Sequence, residues 1–165
     1  MPGQLKELRA GAFEGVEFPA NTTIRIPASV TDFGRYALSS YDLSCFGVFR
    51  NSTVSKIVFE DNSQLNTVYS KAFARDSRDR STLTEVDFGK NSALTTIERE
   101  AFYQCDKLKK VNFGEGSKLQ TIGKEAFSNC TALEEIAIPA SIISIESSGG
   151  TSVYSGTFNN CTNLK

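Results

Sequence analysis

The chain has 165 residues, with 18 basic and 19 acidic side chains, a net charge of −1 and no histidine. This balance argues against a nucleic-acid-binding protein and against attachment to membranes through a basic surface. Histidine is the commonest general base and a member of the usual serine and cysteine triads, so its absence argues against an enzyme. No apolar run approaches the roughly 18 residues that a transmembrane helix needs, and we expect no membrane insertion.

The first predicted element is half of a repeating unit. The apolar spacing in residues 5–13 matches that in residues 119–127, and the last two residues stand where another unit should begin. No signal peptide begins the chain. We expect residues 1–165 to form a single repeat domain of about five to six coils. Repeat arrays need polar caps, and neither end resembles one, so we expect part of a longer array or end-to-end self-association.

From there the chain repeats one frame. In the clearest copy, residues 108–133, Val111 and Phe113 alternate with polar residues, which predicts a half-buried strand. Gly, Asn, Ser and Pro mark the turns. The Ala126-Phe127 step lies in a segment too brief for a full helix. We interpret this segment as a helical or 3₁₀ turn with the phenylalanine pointing inward.

An anchoring phenylalanine recurs along the chain. The shortest spacings are 24 residues, from Phe49 to Phe73, and 25 residues, from Phe102 to Phe127. Longer gaps are the same period plus insertions, and a period in the twenties is typical of leucine-rich repeats. Such units bury their apolar faces against one another and build an extended surface. The anchors are Phe13, Phe49, Phe73, Phe102, Phe127 and Phe158.

The full frame, L-x-x-I-x-I-P followed by I-x-x-I and A-F-x-x-C, resembles the BspA-type leucine-rich repeats over nearly the whole chain. Two copies depart locally: Ser52 replaces the cysteine in one, and an insertion after Phe73 displaces it in another. The resemblance implies an α/β-type repeat solenoid, a right-handed leucine-rich-repeat superhelix of short parallel strands with short helical or 3₁₀ turns. It also implies a secreted or cell-surface protein, typical of mucosa-dwelling bacteria and some protists, that adheres to host extracellular-matrix proteins.

Three cysteines, Cys105, Cys130 and Cys161, hold the same place in successive coils, while Cys45 lies in an insertion. Coils that stack at a strand spacing of about 4.8 Å would align the three in a column. Such a column forms either a ladder of small buried side chains or a disulfide between neighbours. The separation permits a disulfide, but side chains that point the same way rarely meet correctly. Zinc-binding spacings are absent from the sequence, and we expect no metal and no cofactor.

Aligned first strands place charges of alternating sign in one column. In a parallel stack these residues are neighbours, and facing opposite charges contribute a few tenths of a kcal/mol each. The column either fixes the register of the coils or contributes to binding a partner. A neighbouring column is mixed, with Arg25, Val58, Asp87, Asn112 and Ala137. The charged column consists of Thr23, Lys56, Glu85, Lys110 and Glu135.

Two insertions, in residues 33–49 and 145–158, leave the frame at the same point and should emerge on the same side. They carry Tyr36, Tyr41 and Tyr154. Tyrosine-rich loops on a rigid scaffold commonly present binding contacts, although these aromatics could equally fold back over the stack. A third insertion, in residues 75–80, is rich in charged residues, which predicts a solvated bulge.

The sequence therefore predicts a non-catalytic module that binds a protein partner through its sheet face and same-side loops, and the family resemblance implies that this module is adhesin-like. The alternative is a structural spacer that projects other domains from a cell surface.

Overall fold

The computed structural model describes residues 5–34, 47–76, 81–147 and 156–165. Within these ranges the chain forms short strands in which inward apolar residues alternate with outward polar ones, as in Glu85–Asp87. The strands are β1 Glu7–Leu8, β2 Thr23–Ile26, β3 Asp32–Phe33, β4 Lys56–Phe59, β5 Thr67–Val68, β6 Glu85–Asp87, β7 Thr96–Ile97, β8 Lys110–Asn112, β9 Thr121–Ile122, β10 Glu135–Ile136 and β11 Ser144–Ile145.

Each pairing between these strands is parallel and joins one coil to the next. Strands β2, β4, β6, β8 and β10 form a five-stranded sheet in that spatial order. Strands β5, β7, β9 and β11 form a four-stranded sheet, and β1 pairs with β3. Each strand therefore lies against its own equivalent one repeat away, and the predicted parallel-strand repeat solenoid is confirmed.

Stacked phenylalanine rings run through the hydrophobic core. The rings of Phe102 and Phe127 lie 4.9 Å apart and are inclined by 4°, and Phe127 stacks on Phe158 at 5.4 Å. All six anchors belong to this phenylalanine ladder. Offset stacking of aromatic rings adds about 0.5–1.5 kcal/mol per pair beyond the burial of their area. The inward orientation predicted for the anchors is confirmed, since Phe102 and Phe127 are fully buried.

The Ala-Phe segments are hydrogen-bonded turns, and no helix occurs in the ranges that the structure describes. Phe102 N donates to Ala126 O of the next coil at 2.8 Å, while Cys105 N donates to Phe102 O at 3.1 Å within the turn. Glu100 and Gln104 have left-handed backbones, with φ of 58° and 60°. These residues interrupt any run of helical dihedrals, so the expected helical or 3₁₀ turn is not confirmed.

Glycine is required where two coils approach most closely. Gly114 has φ of 71°, and a Cβ built on it would lie 1.8 Å from the carbonyl oxygen of Gly89, one coil earlier. The turn after the first strand therefore excludes any side chain at this position.

The described residues beside both tyrosine-bearing insertions place them at the same point of the coil. One insertion follows Phe33 of β3 and precedes Phe49 of the phenylalanine ladder. The other follows Ile145 of β11 and precedes Phe158 of the same ladder. Both thus lie between a second strand and an Ala-Phe-type turn, as the frame predicts.

Candidate functional site

The outward face of the five-stranded sheet brings the predicted charged column together. Thr23 pairs with Lys56, Lys56 with Glu85, Glu85 with Lys110, and Lys110 with Glu135, each in direct register. Because side chains alternate along a strand, these residues share the face opposite the core. We call the outward side chains of this column and its neighbour the charged face.

One pair in this column forms a close ion pair. Lys56 Nζ lies 2.9 Å from Glu85 Oε2, and both side chains are about one-third exposed. Lys110 and Glu135 are exposed, and among the described residues neither forms an ion pair within 4.0 Å. The column therefore combines a pair that links two coils with two charges that remain available to solvent.

The neighbouring column is partly occupied by bonds within the sheet. Asp87 Oδ1 accepts hydrogen bonds from Asn112 Nδ2 and from Gly89 N, each at 3.0 Å. Arg25 lies opposite Val58 in the register, and both follow the alternation that points them outward. The carboxylate of Asp87 thus supports the turn after its strand, which limits its availability to a partner.

The predicted loop residues Tyr36, Tyr41 and Tyr154 lie outside the described residues. Their role stays a prediction, as does that of the charged segment at residues 77–80.

The cysteine column belongs to the core. Cys105 and Cys130 are fully buried, Cys161 is partly exposed, and all three are free thiols. Burial raises the pKa of the Cys105 thiol to about 12 and that of Cys161 to about 11. Burial also raises the pKa of Cys130 well above its ordinary value, with the neighbouring thiols adding to the effect. Neutral buried thiols are poor nucleophiles and poor metal ligands, so the ladder interpretation is the one that the structure supports.

Sequence reasoning missed a polar network that joins the first three coils. Arg50 Nη2 lies 2.8 and 2.7 Å from the two carboxylate oxygens of Asp76, and Arg50 Nη1 lies 2.7 Å from Glu14 Oε1. Asn51 completes the network, because its Nδ2 donates to Asp76 at 2.8 Å and its Oδ1 accepts from Asp76 N at 3.0 Å. The available signal was that Asp76 occupies the cysteine position of the frame, one coil after Arg50.

This network sets the charge state of its members. Burial alone would raise the pKa of Asp76, but hydrogen bonds from Asn51 and Arg50 hold the pKa of that carboxyl below its usual range. Burial likewise opposes the charge of Arg50, yet Asp76 and Glu14 outweigh it and raise the pKa of the guanidinium. The network therefore favours the ionised pair.

Arg75 corrects the prediction of a solvated bulge. Its side chain is buried, and its Nη1 donates to the carbonyl oxygen of Ser52. It lies close enough to Cys105 for its positive charge to oppose the rise in the pKa of that thiol. The start of the third insertion is thus packed against the stack.

A groove at the corner before the first strands was also missed. It has a volume of about 660 Å³ and is bounded at one end by Glu17 and Asn21. We call it the corner groove, and its other polar lining residues are Thr53, Ser55, Thr82, Thr84, Lys107 and Lys109. Polar positions between the apolar residues of the frame carry no periodic signal of their own, which is why the alignment did not reveal it.

The sequence profile of the BspA type leucine rich repeat region matches in six copies, over residues 1–72 and 45–165. This chain belongs to the BspA-type leucine-rich repeat family. Its fold is similar to that of the pneumococcal vaccine antigen PcpA, whose crystal structure superposes with a TM-score of 0.63 at 28% sequence identity. The match covers 84% of this leucine-rich repeat chain and 31% of the PcpA chain, so the repeat spans about a third of that antigen. No curated protein matches the chain significantly.

In the part of this leucine-rich repeat that the structure describes, no group of three or more His, Cys, Asp or Glu residues is arranged to hold a metal ion. No helix among the described residues is long and apolar enough to cross a membrane.

Proposed function

We propose that this leucine-rich repeat is a non-catalytic module that binds a protein partner through its charged face. The observation that carries the proposal is the register that aligns Lys56, Glu85, Lys110 and Glu135 across neighbouring strands. A rigid array of alternating charges can match a complementary array on a partner and disfavour a mismatched one.

The exposed members of the column are the best candidates for contact. Lys110 and Glu135 lie towards one end of the sheet, and neither is neutralised by an ion pair among the described residues. Lys56 and Glu85 are engaged with each other, so a partner would gain less from them.

A binding experiment with charge exchange tests this proposal. Lys110→Glu combined with Glu135→Lys keeps the net charge and inverts the local pattern. Against immobilised extracellular-matrix proteins, we expect this variant to lose about tenfold in affinity wherever the unmodified chain binds. The matched control exchanges Glu115 and Lys118, which lie on the exposed turn after β8. Equal losses in both exchanges, or no loss in the first, would reject the charged face as the binding surface.

The tyrosine-bearing loops are the second proposed contact surface. Replacing Tyr36, Tyr41 and Tyr154 by alanine should weaken binding to the same partner if the loops contribute. An unchanged affinity would remove the loops from the proposal and leave the charged face in place.

We also propose a secreted or cell-surface location. Membership of the BspA-type family and the similarity to a pneumococcal vaccine antigen support it. Labelling intact cells of the source organism with an antibody against this chain tests the location, and labelling that requires permeabilised cells would contradict it.

A structural spacer is the second candidate function, and the Lys56–Glu85 ion pair favours it. That pair joins neighbouring coils, as does the bond from Asn112 to Asp87. A spacer predicts that exchanging Lys56 and Glu85 alters stability alone. The binding module predicts that the Lys110 and Glu135 exchange lowers affinity, although Lys110→Glu also faces Glu85 and costs a few tenths of a kcal/mol of stability.

A second copy of this chain is a further proposed partner. Ile145 is 43% exposed, whereas its register partner Ile122 is fully buried. Covering the exposed edge with another coil would remove this apolar surface from water. Sedimentation over a range of protein concentrations tests the association, and a constant monomer mass would contradict it.

A further inference from the structure

We propose that the corner groove is a carbohydrate-binding site that takes an acidic oligosaccharide, with the ligand carboxylate held at Lys107 and Lys109. The groove shares no lining residue with the charged face, so this proposal does not depend on the protein-binding proposal.

The groove is built from columns of equivalent residues. Thr84 N donates to Ser55 O at 2.8 Å, and Lys109 N donates to Thr84 O at 2.9 Å. Ser55, Thr84 and Lys109 therefore stack on successive coils, about 4.8 Å apart. The groove has a volume of about 660 Å³, within the range of small-ligand sites. It can hold an extended chain that runs across the coils.

The threonine hydroxyls of the groove have already used their donors. Thr82 Oγ1 donates to Val54 O, and Thr84 Oγ1 donates to Ser55 O, each at 3.0 Å. A hydroxyl has one donor and two acceptor lone pairs. The two hydroxyls are therefore left with acceptor capacity and no spare proton.

Thr53 at the groove follows the same pattern. Its Oγ1 donates to Phe18 O at 3.1 Å and accepts from Phe18 N at 2.7 Å. Most of its hydrogen-bonding capacity is thus spent inside the protein, and its remaining lone pair is an acceptor. With the carboxylate of Glu17 at one end, most side chains in this part of the groove offer acceptors, while Asn21 and Ser55 can also donate.

A sugar chain has the matching chemistry. Each of its hydroxyls carries a proton that can be donated to a threonine lone pair or to the Glu17 carboxylate. A peptide backbone presents equal numbers of donors and acceptors, so its carbonyl groups would find few donors along the threonine side chains. A polar group that is removed from water and left unpaired costs more free energy than a formed hydrogen bond returns.

The opposite end of the groove is basic. Lys107 Nζ lies 3.7 Å from Asp106 Oδ2, with its side chain 62% exposed. Lys109 is exposed and forms no ion pair within 4.0 Å among the described residues. Two ammonium groups beside an acceptor-lined groove fit a saccharide whose carboxylate lies at that end.

Titration calorimetry with the whole chain tests the site. The probe is a tetramer of galacturonic acid, compared with its methyl ester, which keeps the hydroxyls and removes the charge. A tetraglutamate peptide provides the charge without the hydroxyls. We expect the acid to bind, the ester to bind about tenfold more weakly, and the peptide to bind more weakly than the acid. Binding of the peptide at least as tight as that of the acid would overturn the carbohydrate assignment. No detectable binding of the acid at about 1 mM would overturn the site.

Two pairs of matched variants locate the binding. Lys107→Gln with Lys109→Gln should weaken binding of the acid about tenfold and leave the ester unchanged. The control pair Lys90→Gln with Lys118→Gln removes two exposed lysines at the opposite corner of the coil and should leave both ligands unchanged.

The second variant pair tests the hydroxyls. Thr84→Val should weaken both ligands. Thr95→Val removes a hydroxyl with the same kind of backbone bond, to Asn66 O at 3.1 Å, outside the groove, and should weaken neither. Equal effects of a variant and its control would overturn the placement, whatever the affinity of the unmodified chain.

Discussion

The thiol of Cys130 donates a hydrogen bond to the carbonyl oxygen of Phe102, which lies 3.2 Å away and one coil earlier. Cys161 makes the same bond to Phe127 O at 3.1 Å. The recurring A-F-x-x-C motif therefore links neighbouring coils, because each cysteine thiol donates to a carbonyl oxygen in the phenylalanine turn of the preceding coil. Its ring and its sulfur both face the stack, which leaves binding to other surfaces.

The phenylalanine ladder predicts a graded loss of stability. Phe127 is fully buried between two rings, so Phe127→Ala should lower the free energy of unfolding by about 3–5 kcal/mol. Phe158 is partly exposed, and Phe158→Ala should cost less. Urea denaturation followed by circular dichroism measures both. A loss at Phe127 no larger than that at Phe158 would contradict the central position of Phe127 in the core.

Thiol labelling should follow the burial of the cysteine column. In a Cys45→Ser background at pH 8, iodoacetamide should modify Cys161 first, because it is partly exposed. Cys105 should react only as the chain unfolds, since burial raises the pKa of its thiol to about 12 and removes it from the reagent. Mass spectrometry of tryptic peptides resolves the order. Modification of Cys105 as fast as Cys161, or an oxidised pair under non-reducing conditions, would contradict the ladder of free thiols.

The Arg50–Asp76 contact predicts a sensitivity to acid. The pKa of Asp76 in the folded state lies below its usual range, so the unfolded state binds its proton first as the pH falls. The stabilisation is therefore fully present above about pH 5, and is lost as the pH drops through the unfolded value of about 3.9 and then the folded value.

Replacing the carboxyl isolates this contribution. The side chain of Asp76 is 58% exposed, so Asp76→Asn should cost only about 0.5–1 kcal/mol at pH 7. The difference from the unmodified chain should shrink as the pH falls below the unfolded value of about 3.9, as measured by thermal unfolding from pH 7 to pH 3. Glu115→Gln on an exposed turn is the control and should change little. A loss for Asp76→Asn that stays constant from pH 7 to pH 3 would show that the charge is not the cause.

The sequence predicted those features that depend on contacts between equivalent positions of neighbouring repeats. Positions that match between copies become neighbours in a stack, and the register of Lys56 with Glu85 and of Glu85 with Lys110 followed directly. The phenylalanine and cysteine columns followed for the same reason. No equivalent rule exists for an ordinary globular chain, where residues in contact share no pattern.

The features that were not predicted lie where one copy of the repeat differs from the next, or where the backbone conformation determines the structure. The left-handed backbone of Glu100 has no residue signature, because Glu rarely adopts it. Arg75 is buried although arginine is usually exposed. The sequence did not reveal this burial, because Arg75 begins an insertion that obscures its position in the repeat. The corner groove is lined by polar positions that the repeat leaves free to vary. Alignment makes Thr84 and Lys109 neighbours, but it does not show that a groove forms beside them.

Because neighbouring coils approach closely at one glycine and not at another, the same substitution should lower the free energy of unfolding by different amounts at the two positions. Gly114 and Gly15 have left-handed φ values of 71° and 67°. A Cβ on Gly114 would meet Gly89 O at 1.8 Å, whereas one on Gly15 would have nothing within 4 Å. Both alanine variants carry the backbone cost of about 1–2 kcal/mol.

Only Gly114→Ala must also push two coils apart, so it should cost about 3–5 kcal/mol in total, against about 1–2 kcal/mol for Gly15→Ala. Urea denaturation of the two variants side by side measures the difference, and the shared backbone conformation makes each the control for the other. Because stacked coils depend on their neighbours, Gly114→Ala should also broaden the unfolding transition by uncoupling the coils on either side. Equal losses in the two variants would mean that the coils can separate at this turn without cost.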